Sequence, residues 1–187
     1  MARLRGDVVS DDVAAAGNAA ALALDFDRTF AAPRRARFAD LEGLLALRVG
    51  GDAFAVRFRD VTGLRVDRKI VALPSSTSAL LGIVGLRNGL APVYSLGALL
   101  GYGASREAPR WLLLVGAGPL FALAFEDFDG HRQIARTDVS SAQDETSGAH
   151  VPESVRIDDV RRGLISIAAL TETIEALVAE HTRNKER

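Results

Sequence analysis

Few side chains in this sequence have the type and spacing to do chemistry. Glu126, Asp127 and Asp129 with His131 place three carboxylates and an imidazole within six residues. That is the raw material of general acid–base catalysis, in which one group donates a proton and another accepts it. The same acids stand at a strand end beside Gly130, where carboxylates ordinarily face water. His131, His150 and His181 are scattered, with no His-Glu-x-x-His or i, i+4 pairing, so they read as surface or loop residues rather than metal ligands. Gly82, Gly85 and Gly89 lack the spacing of a phosphate-cradling loop, and Ser75-Ser76 lacks the glycines of an activated serine. Arg87 is different, because its chemistry is recognition. A planar fork, a long apolar stem and a permanent charge make arginine a common anchor in protein interfaces. The competing reading is a turn arginine with its charge in solvent.

Composition narrows the function classes. At 187 residues the chain suits one compact domain or two small ones sharing a core. Hydrophobic residues make up 48% and aromatics 6%, so that core is aliphatic. With 23 basic against 24 acidic side chains there is no concentrated positive field, and neither nucleic acid nor an anionic membrane is an expected partner. The absence of cysteine excludes disulfides, thiol catalysis and thiolate metal sites, and suits a reducing cytoplasm. The apolar runs fall short of a membrane span and the N-terminus lacks a signal-peptide core, so direct membrane insertion is not expected.

The elements that must position Arg87 follow one another without a gap from Leu80 to Gly101. Leu81 to Leu86 is a short, nearly all-apolar run that predicts a strand covered on both faces. Asn88-Gly89 predicts a type I′ reversal, and Leu90 to Tyr94 the returning strand. That turn places Pro92 opposite Gly85, at an edge or bulge where its missing N–H is harmless. Ser95 caps a short helix with Leu96, Leu99 and Leu100 on its apolar face, and Gly101 stands just past the end.

These residues resemble the CheW-like family of chemosensory adaptor domains. That family carries a hydrophobic strand, then Gly-x-x-Asn-Leu-Arg-Gly, then an apolar strand with Pro-Val, then Asp-Leu opening a short helix. The corresponding residues here are Gly82, Gly85, Leu86, Arg87, Asn88, Pro92, Val93, Ser95 and Leu96. Gly85 replaces the family's Asn, Asn88 its Gly and Ser95 its Asp. The last two conserve physics, since Asn tolerates left-handed backbone and Ser caps as well as Asp. Upstream, the family's Val-x-Glu-hydrophobic pattern reads Val61-Thr62-Gly63-Leu64, without the carboxylate.

The resemblance covers the chain from about Gly43. Leu44–Val49 and Ala53–Phe58 read as a hairpin around Gly50-Gly51-Asp52. Val61, Leu64 and Val66 continue a strand pattern, and Ile70–Leu73 adds a short strand. Trp111–Val115 and Leu120–Phe125 form the next pair across Gly116 to Pro119. Residues 134–149 are polar, with 144–148 as a loop. Val155–Ile157 and Leu164–Ile167 form the last hairpin across Asp158 to Gly163. Ile167, Leu170, Ile174, Leu177 and Val178 then mark an amphipathic helix that frays from Thr182. Before the resemblance, Leu22, Phe26 and Phe30 lie on one face of a predicted helix ended by Pro33, and 33–37 is a basic linker. Residues 1–42 are thus an extension, partly helical or disordered, and 43–187 the domain.

The pattern predicts an all-β fold with short helices, an N-terminal helical extension and a C-terminal helix. The resemblance sharpens it to two packed five-stranded SH3-like barrels. It implies a non-catalytic cytoplasmic adaptor, without cofactor or metal, that couples a methyl-accepting chemoreceptor-like protein to a CheA-like histidine kinase. A pilus, gliding or developmental pathway is the alternative setting. A small β-barrel enzyme or ligand-binding protein using Glu126, Asp127 and His131 is the alternative class. The resemblance makes Arg87 the partner-binding candidate. Leu86, Val61 and Leu64 are its apolar neighbours, each read as core first and as interface second.

Overall fold

All five residues of Phe121–Phe125 are buried, and the two faces of this strand serve different cores. Phe121, Leu123 and Phe125 enter one apolar cluster. Ala122 and Ala124 enter another. Because side chains alternate along a strand, a strand buried on both sides must lie between two packed layers. The computed structural model describes residues 41–75, 77–87, 89–103, 108–116, 119–141 and 148–185. The predicted helix with Leu22, Phe26 and Phe30, Asn88, and most of the loop at 144–148 lie outside them.

The strands are β1 (Leu41–Val49), β2 (Asp52–Arg57), β3 (Gly63–Val66), β4 (Leu80–Leu86), β5 (Gly89–Ser95), β6 (Trp111–Val115), β7 (Phe121–Phe125), β8 (Asp127–Ala135), β9 (Val139–Ser141), β10 (Glu153–Ile157) and β11 (Val160–Ile165). The helices are α1 (Leu96–Leu99) and α2 (Ile167–Lys185). One sheet has the order β8-β1-β2-β11-β10-β9, the other β3-β6-β7-β5-β4. The first edge strands, β8 and β9, are joined by one three-residue 3-10 turn, Arg136–Asp138. In a flat sheet they would lie about 24 Å apart, five strand spacings of about 4.8 Å. The connection from Ala135 to Val139 reaches at most about 15 Å. The sheet must therefore curl toward closure, as in a small barrel.

Leu44, Ala55, Val155, Ile157 and Leu164 fill the inside of the first sheet. Val84, Ala91, Val93, Leu112 and Leu114 fill the second. Between them, Leu45, Leu47, Val49 and Val56 of the first sheet meet Leu113, Val115 and the β7 phenylalanines of the second. Helix α2 adds Ile167, Leu170 and Ile174 to this shared core. Val178, expected on the same stripe, is half exposed. The helix begins where predicted, with Ser166 Oγ accepting the Ala169 N–H at 3.3 Å.

Two expected barrels thus correspond to two curled sheets, the first with six strands, one of them only three residues long. Other expectations need correction. Ile70–Leu73 is no strand; Val71 makes a single bridge to Ile83. β8 was not foreseen, since its mostly polar sequence, with Asp127, His131 and Gln133 exposed, hides an edge strand. The last hairpin turns at Asp158-Asp159, both at positive φ (49° and 61°), so its strands are longer than expected. Two left-handed residues between antiparallel strands are what the strand twist favours, and Asp tolerates the conformation.

Candidate partner-binding face

The hairpin that carries Arg87 is set by its ladder. Leu86 pairs with Gly89, so the reversal is at 87–88, one position earlier than Asn88-Gly89. Gly89, at φ 139°, belongs to the ladder. Pro92 accordingly faces Ile83 rather than Gly85. Ile83 directs both its N–H and its C=O away from β5, to Val71, at 2.9 Å each. Pro92 therefore occupies a non-hydrogen-bonded position, and the parallel ladder to β7 starts only at Val93. Beyond it, Ser95 Oγ accepts the Ala98 N–H at 3.2 Å and caps α1 as expected.

β4 is an edge strand, not one covered on both faces; Gly82 and Val84 are its buried residues. Leu86 is half-buried against the inner cluster of the second sheet. Arg87 is exposed. Together they line a groove of about 950 Å³ with Leu90, Leu120, Arg65 and Arg68. Leu90 is 71% exposed, an apolar side chain held in water at the groove's rim. Arg65 lies across from Arg87 on β3, its Nη1 donating to the Leu64 carbonyl at 2.8 Å. No carboxylate lines this groove among the described residues. Asp67, between the two upstream arginines, is held by Arg110, whose Nε donates to it at 3.0 Å.

Of the four residues singled out from sequence, Arg87 and Leu86 therefore come together. Val61 and Leu64 do not join them: both are half-buried against the shared core. Val61 borders a different groove, of about 800 Å³, with Arg57, Ser166 and Thr171. Arg65 and Arg68 were missed. A signal existed, because Arg65 is two residues from Gly63 and shares its face of the strand.

Glu126, Asp127 and His131 do not assemble into an acid–base site. Asp127 stands opposite Arg48 and His131 opposite Leu45, at separated positions along β8. The His131 ring packs edge-on against Phe58, 5.3 Å between centroids. The bulge at Ala46/Leu47 instead aims Asp129 at Arg162 (2.7 Å) and Arg48 (3.3 Å). Burial pushes the Asp129 carboxyl up, but the hydrogen bond and charge of Arg162, then of Arg48, outweigh it and hold the carboxyl below its ordinary range. His150 Nε2 meets Thr173 Oγ1 at 2.8 Å and ties the chain before β10 to α2. No group of three or more metal-ligating side chains gathers among the described residues.

Two curled sheets on one core, with an arginine hairpin at the edge of the second, define a strand-rich domain whose distinctive surface is an open groove. The family is then given by sequence: the profile of the CheW-like domain matches residues 43–175, and the chain belongs to that family. It is 31% identical over 72 residues to a probable chemotaxis protein CheW of Rhizobium etli. That match covers 38% of this chain and 46% of the relative, so the chain spans about half the length of the curated relative it matches. The scaffolding protein TtCheW of Thermoanaerobacter tengcongensis has a similar fold, with a TM-score of 0.63 at 19% identity. The likeness covers 70% of this chain and 92% of that one.

Proposed function

We propose that this chain is a non-catalytic adaptor, acting in the cytoplasm without a cofactor, that couples a methyl-accepting chemoreceptor-like sensor to a CheA-like histidine kinase. Residues 43–187 form its working domain and 1–42 an extension. The observation that carries the reading is Arg87, exposed at the end of a paired hairpin and opening onto a groove, in a member of the CheW-like family. A paired hairpin beneath an exposed guanidinium lowers the ordering cost of binding. Holding two partners at once raises their effective concentration, and lets a sensor conformation bias the kinase. No helix among the described residues is long and apolar enough to cross a membrane.

The test uses Arg87→Glu in a reconstituted mixture of kinase and receptor signalling fragments, read by co-sedimentation and kinase autophosphorylation. The variant is expected to melt near the wild-type temperature and to lose capture worth about 2 kcal/mol or more. Normal capture with a collapsed melting temperature would make Arg87 a structural residue and withdraw the assignment. Coupling to kinases of pilus or gliding pathways, and not of a chemotaxis pathway, would move the adaptor to the alternative setting.

A further inference from the structure

We propose that the groove beside Arg87 takes an acidic segment of a protein partner, one presenting at least two carboxylates and a leucine-like side chain, and that Arg65 and Arg68 set this preference. The inference rests on the adaptor reading for the identity of the partner, but on charge complementarity for its chemistry. Arg65, Arg68 and Arg87 line the groove together, and no carboxylate among the described residues joins them there. Asp67 is engaged by Arg110 instead. Three like charges around one concavity raise its local positive potential and so favour an anionic ligand, more strongly at low salt. Gly63 is why the charge stands uncompensated. A Cβ added there would meet Arg65 Nη1 at 3.4 Å, so a glutamate at this position, as in the family's Val-x-Glu pattern, would have a guanidinium within reach.

The remaining lining selects a peptide over a phosphate polymer. Leu86, Leu90 and Leu120 are aliphatic and offer no aromatic ring on which a base could stack. The whole chain carries a net charge of −1, too little positive field to gather a polyanion from a distance. Arginine forks matched to carboxylates, with Leu90 as an exposed apolar contact, fit a mixed acidic and apolar segment.

The test measures binding of two labelled peptides to the full chain by fluorescence anisotropy, one alternating Glu and Leu and one alternating Gln and Leu, with amide shifts locating the site. Expected is binding of the Glu–Leu peptide with shifts at Leu86, Gly89 and Leu90, weakened by added salt, and affinity for the Gln–Leu peptide lower by about tenfold or more. Gly63→Glu, which adds a carboxylate without removing an arginine, should erase most of that preference at an unchanged melting temperature. Arg65→Gln with Arg68→Gln should do the same. Equal binding of both peptides, shifts confined to another face, or tighter binding of inorganic polyphosphate or a single-stranded oligonucleotide would each overturn the proposal. A failed kinase–receptor coupling assay beside an intact Glu–Leu preference would remove the adaptor reading and leave the groove's chemistry standing.

Discussion

Gly82 and Gly85, three residues apart on β4, make opposite demands. A Cβ at Gly82 would overlap the Val71 carbonyl, and its φ of 145° is one that side-chain-bearing residues rarely adopt. At Gly85 the same atom would meet nothing within 4 Å. Gly82→Ala should therefore cost about 2 kcal/mol or more in chemical denaturation, while Gly85→Asn, restoring the family residue, should stay within about 0.5 kcal/mol. In the sequence Gly82 matches the family's glycine and Gly85 stands where the family has Asn, but neither fact reveals the space around it. What separates them is the approach of Val71, a long-range contact that no local pattern encodes. Tyr102 offers a test by pH. Burial, then the hydrogen bond and charge of Asp52, push its phenol from an ordinary value of 10 up to about 12. The fold thus favours the protonated phenol. Its contribution is complete below pH 10 and lost as pH rises through 12, so Tyr102→Phe should flatten the alkaline fall in melting temperature across that window.

Among the elements, burial inverts the expected ranking of strands. Leu81 to Leu86 looked doubly covered because it is apolar, yet β4 is an edge, whereas β6 and β7 are interior and buried on both faces. Hydrogen exchange should be slowest at Leu112–Val115 and Ala122–Phe125, and measurably faster across β4. Slowest exchange in β4 would contradict this strand order. Strand existence was legible wherever side chains alternate or run apolar, as at Leu44–Val49 and Trp111–Val115. Register and edge position were not, because they depend on pairing partners far along the chain. β8 escaped for the same reason, its exposed polar residues resembling a loop. Its bulge nevertheless carries a structural ion pair. Asp129→Asn would leave Arg162, itself 6% exposed, with an uncompensated charge, at a cost of about 2 kcal/mol near neutral pH. Since the folded carboxyl titrates below its ordinary range, the wild-type advantage should be present above the unfolded-state value and fade as pH falls through the folded one.

At the scale of the molecule, residues from Leu41 onward form one compact unit. Both sheets lie within it, and the family profile begins at residue 43. Removing residues 1–40 should leave the strand content and a single cooperative melt, read by circular dichroism and calorimetry. Loss of the sheet signal on truncation would show that the boundary is misplaced. The strand-rich class and the family were legible because turn residues and the Gly82 to Leu96 pattern are local. The arginine groove was only half legible, since Arg87 announces itself by motif and Arg65 only by its strand face shared with Gly63, while the meeting of Arg65 and Arg68 with Arg87 is set by tertiary structure.

The strand order also carries a consequence for how the protein is made. β2 lies in parallel register with β11, Ala55 beside Leu164, so the first sheet is assembled from both ends of the unit. The second sheet uses only the intervening strands and is complete at Phe125. On a translating ribosome the arginine-bearing barrel has all its strands while the other still waits for β8 to β11. Until those arrive, the faces of β6 and β7 that belong to the shared core have only β1 and β2 to cover them, without Ile165, Ile167, Leu170 and Ile174. The nascent chain therefore passes through an interval in which its most apolar strands are made but only partly protected, and the last stretch of translation is when a chaperone would matter most.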